Sequence, residues 1–148
     1  MYRFLELTVS QCMTVAIKTV RSDTSLGELD LLFRKHDFNG LPVVENGRMI
    51  GLVTKFDFLK AFVFTTTQLV PHYNELMQRS VREVMTEKVV HVEPQAPLTR
   101  VLQMMVDLRS RSFPVVEQNK DLVGIIARED IMRALQEATS GSLGEHRS

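Results

Sequence analysis

Leu41-Pro42-Val43-Val44-Glu45-Asn46-Gly47-Arg48-Met49-Ile50-Gly51-Leu52-Val53-Thr54-Lys55-Phe56-Asp57 is the stretch on which the fold turns. Two apolar runs of strand length flank Asn46-Gly47, a pair that favours the positive φ of a two-residue hairpin loop. The same pattern returns as Phe113-Pro114-Val115-Val116 followed by Gly124-Ile125-Ile126-Ala127-Arg128-Glu129-Asp130. Working outward, a shift of 72 positions sets Val9 on Val81, Met13-Thr14 on Met85-Thr86, Val20 on Val92, Leu26 on Leu98 and Pro42-Val43-Val44-Glu45 on Pro114-Val115-Val116-Glu117. Beyond the turn the shift is 73, with Gly51 on Gly124, Asp57 on Asp130 and Ala61 on Ala134. One residue is therefore inserted within Glu117–Asp121, where a hairpin tip tolerates it.

Within each copy the apolar period changes in the same order. A short strand is expected over Val15–Val20 and again over Lys88–Val92. Leu26, Leu29, Phe33 and His36, matched by Leu98, Val101, Met105 and Leu108, fall three and four apart and predict one helix face. Ser25 with Glu28 offers a capping box, and Pro97 suits a helix's first turn. After the hairpin, closing helices are predicted from about Lys55 to Phe64 and from about Arg128 to Ala138. Each copy thus reads β-α-β-β-α. Phe56, Phe58, Leu59, Phe62, Val63 and Phe64 make the first closing helix apolar nearly all round, so burial on more than one side is expected. Ser80 with Glu83 is expected to cap a further turn after a short helix over His72–Gln78. The expected organisation is an N-terminal segment over 1–10, a first repeat over 9–64, a linker over 65–80, a second repeat over 81–138 and a flexible tail over 139–148.

Composition bounds the function. The chain has 148 residues with 18 basic and 18 acidic side chains, and a balanced charge argues against sequence-independent nucleic-acid binding. Cys12 is the only cysteine, so there is no intrachain disulfide, thiolate zinc site or CxxC pair. No stretch approaches the apolar length that spans a bilayer, and no basic-then-apolar leader opens the chain. The expectation is a cytoplasmic protein with no membrane partner.

The ordered pieces, present twice over Val9 to Ala138, resemble the CBS (cystathionine β-synthase) domain in a tandem pair, or Bateman module. The resemblance implies an α+β fold of two repeats packed about a pseudo-twofold axis, with two clefts that in many members hold adenosine-containing ligands. It gives Asp57 and Asp130 the ribose hydroxyls, and Thr54 the ribose or α-phosphate. Base and phosphate contacts come from the other repeat: Val89, Val90, Ser110, Arg111 and Ser112 with Asp57, and Ile17, Lys18, Phe38 and Asn39 with Asp130. Arg111 falls where some members place a basic phosphate contact, whereas Asn39 is its uncharged equivalent. The resemblance also implies a homodimer formed through the helices.

The residues themselves support such a site less specifically. Thr54 and Asp57 stand three apart at a strand end and a helix start, where a hydroxyl, a carboxylate and free N–H groups converge. The same pair equally serves as a helix cap. Ala127 in place of Thr54 removes one hydroxyl from the second copy, a loss of about 0.5–1.5 kcal/mol. Arg111 is either a phosphate contact or a solvated charge, as are Lys55 and Arg128. Cys12 lacks a paired base and reads as a small hydrophobe. His36, His72, His91 and His146 lack metal-ligand spacing, and no metal site or required cofactor is expected. Neither Walker-type loop, GxGxxG, nucleophile elbow nor HExxH occurs, so no catalytic residue is assigned. The expected function is a non-catalytic regulatory module that senses AMP, ADP, ATP or S-adenosylmethionine and signals to a regulated protein. The alternative is a dimerisation module with empty clefts.

Overall fold

Asn46 and Gly47 take φ of 53° and 81° in the computed structural model, which describes residues 2–38, 40–63 and 73–147. Those angles belong to the two-residue loop that Asn-Gly favours, and the loop closes β1 (Gly40–Glu45) onto β2 (Arg48–Thr54) as an antiparallel pair. The second hairpin, β3 (Ser112–Val116) with β4 (Leu122–Ala127), absorbs the inserted residue. Its loop is Gln118-Asn119-Lys120: the Lys120 N–H donates to the Glu117 carbonyl at 2.9 Å, the Glu117 N–H to the Asp121 carbonyl at 3.0 Å, and Lys120 sits at φ 73°. A β-turn followed by one left-handed residue is the usual three-residue solution. A lysine pays a Cβ penalty there that glycine avoids, so Lys120→Gly should stabilise the chain by about 0.5–1 kcal/mol. Urea denaturation checks this; an unchanged or lower midpoint refutes it.

Two compact units divide the chain. One is Lys18–Val89, the other Met1–Ile17 together with Val90–Ser148. In the first, α3 (Leu26–Lys35), α4 (Lys55–Val63), α5 (Tyr73–Gln78) and a 3₁₀ turn (Val81–Glu83) accompany the β1–β2 hairpin. Val20, Leu26, Leu29, Leu41, Val43, Val53, Ala61, Leu76, Val81 and Val84 form its core. The Ser25 hydroxyl caps α3 by accepting the Glu28 N–H at 3.1 Å. In the second unit, α1 (Tyr2–Glu6), α2 (Val9–Cys12), α6 (Leu98–Leu108) and α7 (Arg128–Arg147) surround β3–β4. Phe4, Val9, Val92, Leu98, Val101, Met105, Phe113, Val115, Ile126, Ile131, Ala134 and Ala138 are buried there. Phe4 brings the N-terminal segment into this core.

The units cross the sequence repeats at the Met-Thr pairs. Thr14 precedes the first hairpin yet pairs with Ile125 of the second, the two exchanging N–H···O bonds of 2.8 and 2.9 Å. Thr86 precedes the second hairpin yet exchanges bonds of 2.8 and 2.9 Å with Leu52 of the first. Two glycines make room. A Cβ on Gly51 would lie 2.9 Å from the Thr86 carbonyl oxygen and 3.0 Å from Met85 sulfur. One on Gly124 would lie 3.0 Å from the Thr14 carbonyl oxygen and 2.7 Å from Met13 sulfur.

Several expectations change. The strands over Val15–Val20 and Lys88–Val92 shrink to single parallel bridges, Val20 on Val43 and Val92 on Val115. Val20 lies between the Pro42 carbonyl and the Val44 N–H, and Val92 is held likewise by Pro114 and Val116; each proline offers a carbonyl and no N–H, so the ladder has nothing further to add there. The predicted helix faces end early: His36 is the exposed C-cap residue of α3, and Leu108 at the last turn of α6 is exposed. Pro97 occupies the N-cap of α6 instead of its first turn. Ser80 makes no side-chain cap; its carbonyl accepts the Glu83 N–H at 3.1 Å. On α4 only Asp57 and Ala61 are fully buried, while Phe56, Leu59 and Val63 form an exposed apolar stripe. Helix α7 runs through Arg147, across the segment expected as a tail. Phe64, His72 and the first half of the expected linker, residues 65–72, lie outside the described residues.

Candidate functional site

Strand β2 passes into α4 without a loop, so Thr54 ends the strand and Asp57 occupies the helix's third position. At that spacing the two close a reciprocal cap. The Thr54 N–H donates to Asp57 Oδ2 at 2.9 Å, and the Asp57 N–H donates to Thr54 Oγ1 at 3.1 Å. The Thr54 hydroxyl also donates to Oδ2 at 3.0 Å. On the other side, Lys60 Nζ donates to Oδ1 at 2.7 Å, and the Thr86 hydroxyl lies 3.2 Å from Oδ1 and 3.4 Å from Oδ2. Asp57 is 3% exposed. Burial alone would push its carboxyl up, but Lys60 and the two Thr54 donors outweigh it and hold the pKa below the usual aspartate value.

The second copy repeats this arrangement with one donor fewer. Asp130, also 3% exposed, accepts the Ala127 N–H at 2.9 Å, Arg133 Nη1 at 3.3 Å and the Thr14 hydroxyl at 3.2 Å. Ala127 supplies no hydroxyl, as the sequence implies. In both copies, then, capping and a candidate binding role fall on the same carboxylate.

Thr14, Thr86, Lys60 and Arg133 were not singled out from the sequence. Their signal is the duplication itself: a threonine follows each repeat's methionine, and a base stands three residues after each aspartate. Of the four, Lys60 and Thr86 matter most chemically. An ionised carboxylate accepts about four hydrogen bonds, and Asp57 already has four donors: the Thr54 N–H, the Thr54 hydroxyl, Lys60 and Thr86. The Thr54 pair belongs to the fold, whereas Thr86 is an exposed residue and the Lys60 side chain is 54% exposed. Those two outer donors are the ones that reach the carboxylate from the exposed side.

The remaining expected residues divide between the units. Lys18, exposed, and Phe38 and Val89, both half-buried, belong with Thr54 and Asp57; the Phe38 ring lies 5.0 Å from that of His36. Asn39 lies outside the described residues. Ile17, Val90, Ser110, Arg111 and Ser112 belong with Asp130. Ser112 stands opposite Ala127, and the Arg128 N–H donates to the Arg111 carbonyl at 2.9 Å, so this segment lies beside the start of α7. Glu129, in that first turn, has its carboxyl lowered by its own backbone N–H, then by Arg128, with a contribution from Arg111.

Cys12 is half-buried, and burial followed by the charges of Asp130 and Glu137 pushes its thiol up, against Arg133. It is a protonated packing residue at neutral pH. Among the described residues no cluster of three or more His, Cys, Asp or Glu side chains is placed to hold a metal, and no helix is long and apolar enough to cross a membrane.

Comparison with known proteins gives this geometry a family. The model of the CBS domain matches residues 9–63 and 81–137. The CBS domain-containing protein YhcV of Bacillus subtilis is 32% identical over 136 residues, covering 92% of this chain and 89% of that one. Among solved structures, the CBS domain pair of protein MJ0100 in complex with 5-methylthioadenosine and S-adenosyl-L-methionine is 26% identical, with a TM-score of 0.68 over 89% of this chain and 98% of that one. CBSX2 in complex with AMP is 26% identical, with a TM-score of 0.73 and the same coverage of 89% and 98%. Against other curated relatives the chain spans far less, 20% of one and 47% of another. The two matched segments include both hairpins and both buried aspartates, and the chain belongs to the CBS domain family as a tandem pair.

Proposed function

We propose that the chain is a regulatory, non-catalytic module that binds an adenosyl ligand, with the Asp57 carboxylate accepting the ribose hydroxyls. The observation that carries this reading is the pair of exposed donors on a buried carboxylate. Two ribose O–H groups replace Lys60 and Thr86 on Asp57 without disturbing the Thr54 cap beneath it. The similar pairs in MJ0100 and CBSX2 hold S-adenosylmethionine, 5-methylthioadenosine and AMP, and adenosine is the part those ligands share. AMP, ADP, ATP and S-adenosylmethionine are the candidates here.

The further contacts rest on the family resemblance: Val89, Val90, Ser110, Arg111 and Ser112 with Asp57, the cation of Arg111 serving phosphate. Ile17, Lys18, Phe38 and Asn39 go with Asp130, whose site lacks the Thr54 hydroxyl and is the weaker. Displacing Thr86 frees one tie on the segment that pairs with Leu52. A ligand shifts a conformational balance only by its differential affinity for two states, and this tie is where the states differ. A regulated protein then reads the change.

Isothermal calorimetry with the four ligands tests the reading. At least one should bind, and Asp57→Ala, measured where circular dichroism shows it folded, should weaken that ligand tenfold or more. Unchanged affinity would remove Asp57 from the site. Binding by none of the four favours the second reading, a dimerisation module, which the exposed Phe56, Leu59 and Val63 stripe supports.

A further inference from the structure

Within the Lys18–Val89 unit a groove of about 770 Å³ runs along the outer flank of α3. Val20, Leu31 and Leu32 give it an apolar floor, and Lys18, Arg21, Arg34 and Lys35 supply the cations along it. Glu28 is the one carboxylate in its wall. Arg21 is paired with Asp23 at 3.2 Å and Arg34 with Asp30 at 3.1 Å. Lys18 and Lys35 form no ion pair among the described residues.

The internal repeat provides a control for whether the fold needs those charges. The corresponding groove of the other unit, about 460 Å³, is lined by Val92, Glu93, Ala96, Arg100 and Met104 at the positions of Val20, Arg21, Thr24, Glu28 and Leu32. Val90, Val106 and Asp107 stand at the positions of Lys18, Arg34 and Lys35. The same local architecture therefore forms with Arg100 as the one Lys or Arg in its lining, and the wall of four cations belongs to one groove only. An apolar concavity of several hundred Å³ with a few charged groups at its edge has the composition of a small-molecule site.

We propose that this groove binds a small organic anion, one that lays a flat apolar body on Val20, Leu31 and Leu32 and sets a phosphate or carboxylate group on Lys18 and Lys35. The two parts act together. Inorganic phosphate lacks the apolar contact, and a neutral aromatic leaves two unpaired ammonium groups unused. The site rests in part on the proposed function, since Lys18 is also placed with Asp130 for the adenosyl ligand, whereas Val20, Leu31, Leu32 and Lys35 are assigned to no adenosyl contact.

Methyl-resolved NMR titration of the full chain with 1-naphthyl phosphate tests it, with 1-naphthoate, inorganic phosphate and 1-naphthol as comparison arms. Saturable shifts are expected at the Val20, Leu31 and Leu32 methyl groups. Affinity should fall at least tenfold for inorganic phosphate or 1-naphthol, and at least threefold in Lys35→Gln. The phosphate and carboxylate probes then rank the two acidic groups. Absence of saturable shifts at these methyls with both anionic probes, or binding unchanged in Lys35→Gln, overturns the proposal. Asp130→Ala, at the carboxylate whose adenosyl site shares Lys18, should leave the titration unchanged, so this site and the adenosyl site succeed or fail separately. Loss of the shifts in that variant would place the probe at the ribose carboxylate and likewise overturn the groove assignment.

Discussion

Gly51→Val is expected to destabilise the Lys18–Val89 unit by about 2–4 kcal/mol, combining overpacking with the loss of backbone hydrogen bonds. The first atom of any side chain at this position meets the Thr86 carbonyl oxygen at 2.9 Å, and that oxygen is fixed by the Leu52 N–H. Met85 sulfur can swing aside; a backbone carbonyl in a paired segment cannot do so without breaking the pair. The strain therefore expels Met85-Thr86, and both Leu52–Thr86 bonds go with it. Urea denaturation should show the lowered midpoint, and NMR should show the Thr86 amide losing its protection from exchange. A midpoint within about 0.5 kcal/mol of the parent would mean that the Met-Thr segment is not held as described.

Asp57→Ala is the second large effect, about 2–3 kcal/mol at neutral pH, because charged hydrogen bonds are lost and the Thr54 N–H is left without its acceptor. Its pH dependence has a definite sign. The folded-state pKa lies below the ordinary aspartate value, so the ionised carboxylate stabilises the fold fully at pH above about 4 and less as pH falls through the lowered folded value. The gap between parent and variant should be widest and constant near neutrality and should narrow as the pH falls below the ordinary aspartate value and through the lowered folded one. Denaturation curves across that range check it. A gap that widens in acid would contradict the buried, donor-rich carboxylate.

Much of the fold was legible because it was written twice. The hairpins follow from Asn46-Gly47 and from the alignment of Pro42-Val43-Val44 with Pro114-Val115-Val116, and the single inserted residue reappears as the left-handed Lys120. The cap role of Thr54 and Asp57 was open beside the binding role, and the structure shows the cap at both carboxylates. The exchange of the Met-Thr pairs was not legible. Proximity in sequence assigns Met13-Thr14 to the first repeat, and the only counter-signal is a glycine in each hairpin, a residue with many other uses. The donors on Asp57 from Lys60 and Thr86 were missed for a related reason: one is an ordinary helix-face lysine, and the other arrives from a distant segment. The Phe-rich α4 misled because composition counts apolar residues without saying which of them find a partner within the chain.

The crossing of Thr14 onto Ile125 also bears on biosynthesis. One structural body is continuous in the chain, while the other has its opening portion made first and its remainder last. A nascent polypeptide leaving the ribosome can complete Lys18–Val89 while α1, α2 and Thr14 wait for β4 and α7 to emerge. The segment before Lys18 is thereby joined to β4 and α7 only after the whole Lys18–Val89 unit has been made, at the cost of closing a long loop. Severing the gene at the repeat boundary would yield two fragments, each carrying the other's closing piece.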